Sequence, residues 1–264
     1  MGRVRPARPV GWIGSTSNVR ILSYNIRQGG AGREAALASV IRAVNPDVVV
    51  LEEATRPEVV ARLASDTGMC HWASKAGKSL AFMSRHEVAS FAAHRPPISR
   101  HAFLEIAPAT TSWRVFGVHL SAVHAAWTER RRLFELRALL RAIAAHQHGP
   151  HILMGDFNTV APGDMFDPTR LPGRLRALVW LSGGRIRWRT IATVLAAGYV
   201  DSFRQLHPAE LGYTLPTPEP HVRLDYAFVP GAFARHVRAC EIVKTPDAAT
   251  ASDHFPLLLD VEEP

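Results

Sequence analysis

Gly155-Asp156-Phe157-Asn158 stands at the end of the apolar run His151-Ile152-Leu153-Met154 and ahead of a loop holding Pro162 and Gly163. Asp156 and Asn158 are two residues apart, so a persisting strand would point both side chains the same way. A carboxylate beside a neutral amide can hold one water by two contacts, the acid accepting its proton and the amide fixing its orientation. A strand-to-loop Asx turn is the structural alternative, because Asp and Asn are favoured there. A second element, Ser252-Asp253-His254-Phe255-Pro256-Leu257, puts an acid and an imidazole at the mouth of an apolar strand. Asp253 can bind a cation there, while a cationic His254 can stabilise charge developing on phosphate oxygens; alternatively, the triplet caps the strand. In Arg223-Leu224-Asp225-Tyr226-Ala227-Phe228-Val229, Asp225 interrupts an apolar strand. An ionised acid in that position needs a partner, and an imidazole or Arg223 can supply it. Three shorter elements follow strands: Tyr24-Asn25-Ile26, Leu51-Glu52-Glu53 and Val118-His119-Leu120. Taken singly, Glu52 and Glu53 read equally as surface acids, and His119 as a structural histidine.

The elements that must position these groups are legible from periodicity. Strands are expected from Val19 to Tyr24, at Val48–Leu51, Leu80–Met83, Ala102–Ile106, Trp113–Leu120 and His151–Met154, and at Val222–Val229, Val237–Val243 and Phe255–Val261. Helices are expected near residues 34–44, 57–64, 129–146 and 189–197, the second opened by a Thr55/Glu58 capping box. The third would turn Leu133, Leu136, Leu140 and Ile143 inward and carry Arg130, Arg137 and Arg141 outside. Strands interleaved with helices predict one domain with two sheets stacked face to face and helices outside.

A chain of 264 residues with 47% hydrophobic and 20% charged side chains can bury a substantial core and is not a disordered polymer. The net charge of +8 is local. Residues 1–20 hold four arginines and no acid, and residues 170–189 hold six arginines and no acid. Concentrated arginine suits an anionic partner or simply a solvated face. Residues 1–18 read as a flexible basic leader before a domain spanning 19–264. Cys70 and Cys240 share no ligand spacing, which favours a reduced intracellular protein. Neither a signal peptide nor a transmembrane segment is evident, and the expectation is a cytoplasmic monomer.

In this order and at these strand ends, the six elements resemble the endonuclease/exonuclease/phosphatase family over roughly residues 19–262. The resemblance implies a deoxyribonuclease I-like fold: a single-domain four-layer α/β/β/α sandwich, with two stacked mixed sheets flanked by helices. It implies a metal-dependent phosphoric ester hydrolase using Mg²⁺ or Mn²⁺. Glu53 is then the principal metal carboxylate, with Asp253 close by and Asn25 lining the metal and phosphate region. Asp156 orients and deprotonates the attacking water, and Asn158 holds that water or a phosphate oxygen. His254, oriented by Asp225, and His119 contact the phosphate. Hard oxygen ligands suit these cations. One departure concerns His119: in the deoxyribonuclease I branch an acid supports the equivalent histidine, whereas Lys75, Lys78 and Ser79 precede the strand here.

The substrate depends on residues 171–199, a basic segment rich in Arg and Trp. Arg185, Arg187 and Trp188 there can clamp phosphates and stack on bases, which points to nucleic acid and to a nuclease or end-processing phosphodiesterase. Trp180 and Leu181 inserted in an anionic lipid surface would make the chain a lipid or small-molecule phosphoesterase, sphingomyelinase- or inositol-phosphatase-like. A third reading buries Leu175, Leu178, Val179 and Leu181 as a core helix. A catalytically inactive binding module is the alternative of another class.

Overall fold

Alternation of side chains along the strands builds two six-stranded sheets. The computed structural model describes residues 18–264 except 98, 100, 101, 123–125, 182 and 184–187. In chain order the strands are β1 (Asn18–Asn25), β2 (Val48–Glu52), β3 (His71–Ala73), β4 (Ala81–Ser84), β5 (Val88–His94) and β6 (Phe103–Pro108). They continue with β7 (Arg114–His119), β8 (His151–Asp156), β9 (Tyr199–Asp201), β10 (Asp225–Pro230), β11 (Val237–Ile242) and β12 (Leu257–Glu262). The helices are α1 (Glu34–Val44), α2 (Pro57–Thr67), α3 (Ala126–Ala142), α4 (Gly173–Leu181), α5 (Arg189–Ala196), α6 (Ser202–Leu206) and α7 (Ala248–Ala251).

One sheet runs β11-β12-β1-β2-β4-β3, the other β5-β6-β7-β8-β10-β9. Both are mixed: β1 and β2 are parallel, as are β7 and β8, and the neighbouring pairs are antiparallel. Ile21, Val48, Val50, Val115, Ile152, Met154, Ala227 and Leu259 fill the space between the sheets. The alternate residues Leu22, Tyr24, Val49 and Leu51 face outward onto Leu37, Ile41, Val60 and Leu63 of α1 and α2. On the other side, Phe116, Leu153 and Phe228 meet Leu136, Leu139 and Ile143, behind or just beyond α3, and Ile191 and Val194 of α5. Helix, sheet, sheet and helix layers result, as expected.

Differences from the sequence reading are local. β3, β5 and β9 are short or largely exposed, so alternation did not announce them. The capping box is absent: Arg56 is the N-cap of α2 without a side-chain cap bond, and Pro57 at the first turn needs no N–H acceptor. Leu139, rather than the partly exposed Leu140, is fully buried. Asn18 already pairs with Glu262 in β1, and the rest of the expected leader lies outside the described residues. Along α4 only Val179 is buried, while Trp180 and Leu181 are 75% and 68% exposed, so the core-helix reading of this stretch does not hold. Among the described residues no helix is long and apolar enough to cross a membrane.

Candidate active site

The inter-sheet core ends in polar groups. On the inner face of β1 the series Val19, Ile21 gives way to Ser23 and Asn25, and on β2 Val48, Val50 gives way to Glu52. In the facing sheet Val115 leads to His119, and Ile152 and Met154 lead to Asp156. β10 runs the other way and starts with Asp225 before Ala227 and Val229. Period-two alternation therefore delivers each polar side chain to the same edge. Register aligns them further: Asn25 lies opposite Glu52, and Asp156 is flanked by His119 on β7 and Asp225 on β10.

Asp156 is the hub. Its Oδ2 accepts from the Asn25 amide at 3.1 Å and from the Asn158 amide at 3.1 Å, and its Oδ1 accepts from the Asn158 backbone N–H at 2.8 Å. The same Oδ2 faces His119 Nε2 at 3.8 Å and His254 Nε2 at 3.9 Å. The strand stops at Asp156, and Asn158 has φ 53°, so an Asx turn rather than continued strand brings the two side chains together. The expected continuation of the strand does not occur, and the Asx turn sets the amide beside the carboxylate instead. Asn158 also donates to the Leu120 carbonyl at 3.0 Å, which leaves its own carbonyl oxygen as the acceptor available to a water.

His254 Nδ1 bonds Asp225 Oδ2 at 2.9 Å. Arg223, the competing partner of Asp225, is committed elsewhere: its Nε donates to Asp164 Oδ2 at 2.9 Å, and it ion-pairs Asp201 at 2.7 Å. Burial alone would lower the His254 pKa, but the charge and hydrogen bond of Asp225, with Asp156 and Asp253 nearby, raise it to about 10. The imidazole is therefore cationic at neutral pH. Asp156 is pushed up to about 7, first by burial and then by Asp225, against the pull of the His254 charge and the Asn158 and Asn25 hydrogen bonds. Asp156, Asp225 and His254 form a buried cluster with ligand-type atoms within 4.8 Å of one another.

Glu53 and Asp253 sit at the rim. Glu53 has φ 56° and its Oε2 accepts from the Gln28 N–H at 2.6 Å; Asp253 is partly exposed, with Arg27 at 3.5 Å. Asn25 is bonded to Asp156 and to the Arg27 N–H, which makes it an orienting group for the Asp156 carboxylate. Trp188 is half-exposed at the start of α5 with no contact to this cluster among the described residues, and Arg185 and Arg187 lie outside those residues.

Four further residues take places in the cluster that sequence did not assign to them. Ser79 bonds His119 Nδ1 through its hydroxyl and accepts the Glu53 N–H at 3.1 Å, so a hydroxyl stands where an acid was missing. Ser252 Oγ donates to the Asn25 carbonyl at 2.6 Å. Arg132, buried in α3, pairs with Glu129 and donates to the Ser121 carbonyl at 2.8 Å, holding the chain that follows His119. Glu52 is fully buried, with Oε1 on Ser23 and Oε2 without a partner. Burial and the charges of Asp225 and Asp156 raise its pKa well above the ordinary carboxylate value. Glu52 and Ser252 stood inside motifs quoted from sequence and Ser79 just before the strand at Leu80–Met83, whereas Arg132 left no signal.

A buried excess of carboxylates, with acids at the rim and one orphaned Glu52 oxygen, is an electrostatic setting that a divalent cation relieves, and the oxygen donors suit a hard one. A family model described as the Endonuclease/Exonuclease/phosphatase family matches residues 22–254. The fold is shared with a 3′ phosphatase, NExo from Neisseria, in a structure bound to product DNA hairpin (TM-score 0.70, 20% identity, 92% of this chain and 99% of that one). It is shared also with an AP endonuclease from Archaeoglobus fulgidus (TM-score 0.69, 17% identity, 91% and 98%) and with a humanized TDP2 of D. rerio (TM-score 0.64, 18% identity, 92% and 98%). At these identities the likeness is one of fold. Comparison with curated proteins gives no match.

Proposed function

The chain belongs to the endonuclease/exonuclease/phosphatase family and is a phosphoric ester hydrolase, and on that premise we propose that it cleaves phosphodiester bonds of nucleic acid. The observation that carries the reading is the placement of two imidazoles, His119 and His254, at nearly equal distance from one oxygen of Asp156. A phosphoryl group seated between the imidazoles would be opposite a carboxylate ready to take a proton.

Asp156 accepts the proton of the attacking water, and the Asn158 carbonyl oxygen fixes that water's second hydrogen. His254 donates from Nε2 to a phosphoryl oxygen while Nδ1 stays on Asp225, which keeps the ring cationic and fixes its face. His119 donates to a second oxygen, its ring held by Ser79. Glu53 and Asp253 would hold a divalent cation of the Mg²⁺ or Mn²⁺ kind. When bound, that ion supplies polarisation of a phosphoryl oxygen and offsets charge on the leaving oxygen. Net charge of +8 and arginine on exposed faces favour a polyanionic substrate.

Hydrolysis by the wild type with Mg²⁺ or Mn²⁺ is measured on single- and double-stranded DNA, RNA, sphingomyelin, inositol phosphates and bis-p-nitrophenyl phosphate. Metal-dependent cleavage of nucleic acid that is lost in Asp156→Asn and His254→Ala is expected. Turnover of lipid alone would move the substrate to a membrane surface, a reading favoured by exposed Trp180 and Leu181 beside Arg174 and Arg176. Silence on every ester would leave a binding module on this fold, and wild-type turnover in Asp156→Asn would remove that residue as base.

A further inference from the structure

Beside the cluster opens a pocket of about 780 Å³ that shares Glu53, Ser79 and His119 with the site. It extends between the β3–β4 connection, which supplies Lys75 and Lys78, and β5, which supplies Phe91, with Arg95 just beyond. Among the described residues those three cations face a single lining acid, Glu53. Among the described residues neither Lys75 nor Lys78 forms an ion pair, and both are exposed. Phe91 rests on Phe82, ring centroids 5.1 Å apart, yet is 55% exposed, so one part of the ring is fixed and another is open. Unpaired cations next to an anchored aromatic surface form a chemistry for phosphates that carry a planar base. The volume is that of pockets enclosing one small ligand, on the order of 300–1,000 Å³. One or two nucleotides fit such a space, and an open ring face takes a base that is not already stacked inside a duplex.

We propose that this pocket is the subsite for the unpaired nucleotide adjoining the cleaved phosphate, with its base on Phe91 and its flanking phosphates on Lys75, Lys78 and Arg95. The enzyme is then selective for unpaired strand over the interior of a duplex. This deepens the nucleic-acid reading above and rests on it.

The test separates binding from turnover. A fluorescein-labelled single-stranded deoxyhexanucleotide and a blunt duplex of the same sequence are titrated by anisotropy in EDTA, where no hydrolysis occurs. The single strand is expected to bind at least about tenfold more tightly, and Phe91→Ala to weaken it about tenfold through lost stacking. Lys75→Gln with Lys78→Gln should reduce the slope of log affinity against log salt by about 1.4, near 0.7 for each of the two phosphate contacts to single strand. Arg238→Gln, on the exposed β11 edge, should change neither. Phe91 and both lysines are surface groups, and unchanged melting temperatures confirm that the variants fold. Equal affinity for duplex and single strand, or unchanged binding in both pocket variants, overturns the proposal. Absence of metal-dependent hydrolysis of every ester in the panel above by the wild type would instead overturn the hydrolytic assignment, leaving the anisotropy result to judge the pocket on its own.

Discussion

Gly155→Ala tests how the fold carries its central carboxylate. Gly155 has φ 143°, and a Cβ built on it would stand 1.9 Å from the Val118 carbonyl oxygen of the neighbouring strand. Non-bonded carbon contacts are comfortable at roughly 3.5 Å, so β7 and β8 must part by more than about 1 Å to admit the methyl group. A non-glycine residue in that backbone region costs about 1–3 kcal/mol, and each ladder hydrogen bond weakened by the separation adds about 1 kcal/mol. A total of about 3–5 kcal/mol would lower the melting temperature by roughly 10 °C in a domain of this size. Because Asp156 is the next residue, a displacement of about 1 Å also reduces turnover on the order of 100-fold. Gly117→Ala is the contrast: its Cβ would meet the Val50 methyl of the facing sheet at 2.7 Å, a side chain that can yield. That variant should lose about 1–3 kcal/mol of stability through overpacking and keep far more of its turnover. Differential scanning calorimetry and turnover of a chromogenic diester read both quantities. Wild-type melting and turnover in Gly155→Ala would refute the argument that this glycine admits the strand pairing that places Asp156.

Three further outcomes follow from the same geometry. Ser79→Ala, which removes the hydroxyl joining His119 to the Glu53 backbone, should lower kcat about 10–100-fold, as loss of an orienting partner does, with KM little changed and Ser79→Thr restoring part of the loss. In EDTA the His254 ring should titrate near pH 10, by NMR, and well below that in Asp225→Asn. Since the folded pKa is raised, the pair's contribution to stability is fully present below pH 6.5 and is lost as pH rises from there through about 10, so the melting difference between wild type and Asp225→Asn should shrink across that window. Arg223→Met leaves Asp201 buried without a guanidinium and Asp164 with Arg204 alone, and should cost about 3–5 kcal/mol by chemical denaturation, while adding Asp201→Asn recovers part of it.

Much of the framework was legible because it is periodic. Val48–Leu51 and Ile152–Met154 are short uninterrupted apolar runs of the kind buried strands take, bounded by turn residues, and α1 and α3 repeat their apolar residues at helical spacing. The polar residues that terminate those runs, Asn25, Glu53, His119 and Asp156, were therefore readable as strand-end groups. Short strands were not, since β3 and β5 are exposed and their hydrogen-bond partners, rather than their own residues, hold them extended.

Sequence by itself determined which chemistry was present: carboxylates, amides and imidazoles at the ends of apolar strands, in an order that matched one family. Tertiary structure decided the pairings. Asp225 had two eligible partners, and its assignment to His254 rests on Asp164 and Asp201 claiming Arg223. Asn25 reaches Asp156 across 131 residues of chain, and Ser79 reaches His119 across 40, distances over which local periodicity carries no information. Burial likewise belongs to the packed sheets: the interior that excludes water raises the pKa of Asp156, and the same interior, by setting His254 against Asp225, keeps that imidazole charged. A one-dimensional pattern specifies the face on which a side chain lies, whereas the electric field it meets depends on charges brought close only when the two sheets stack.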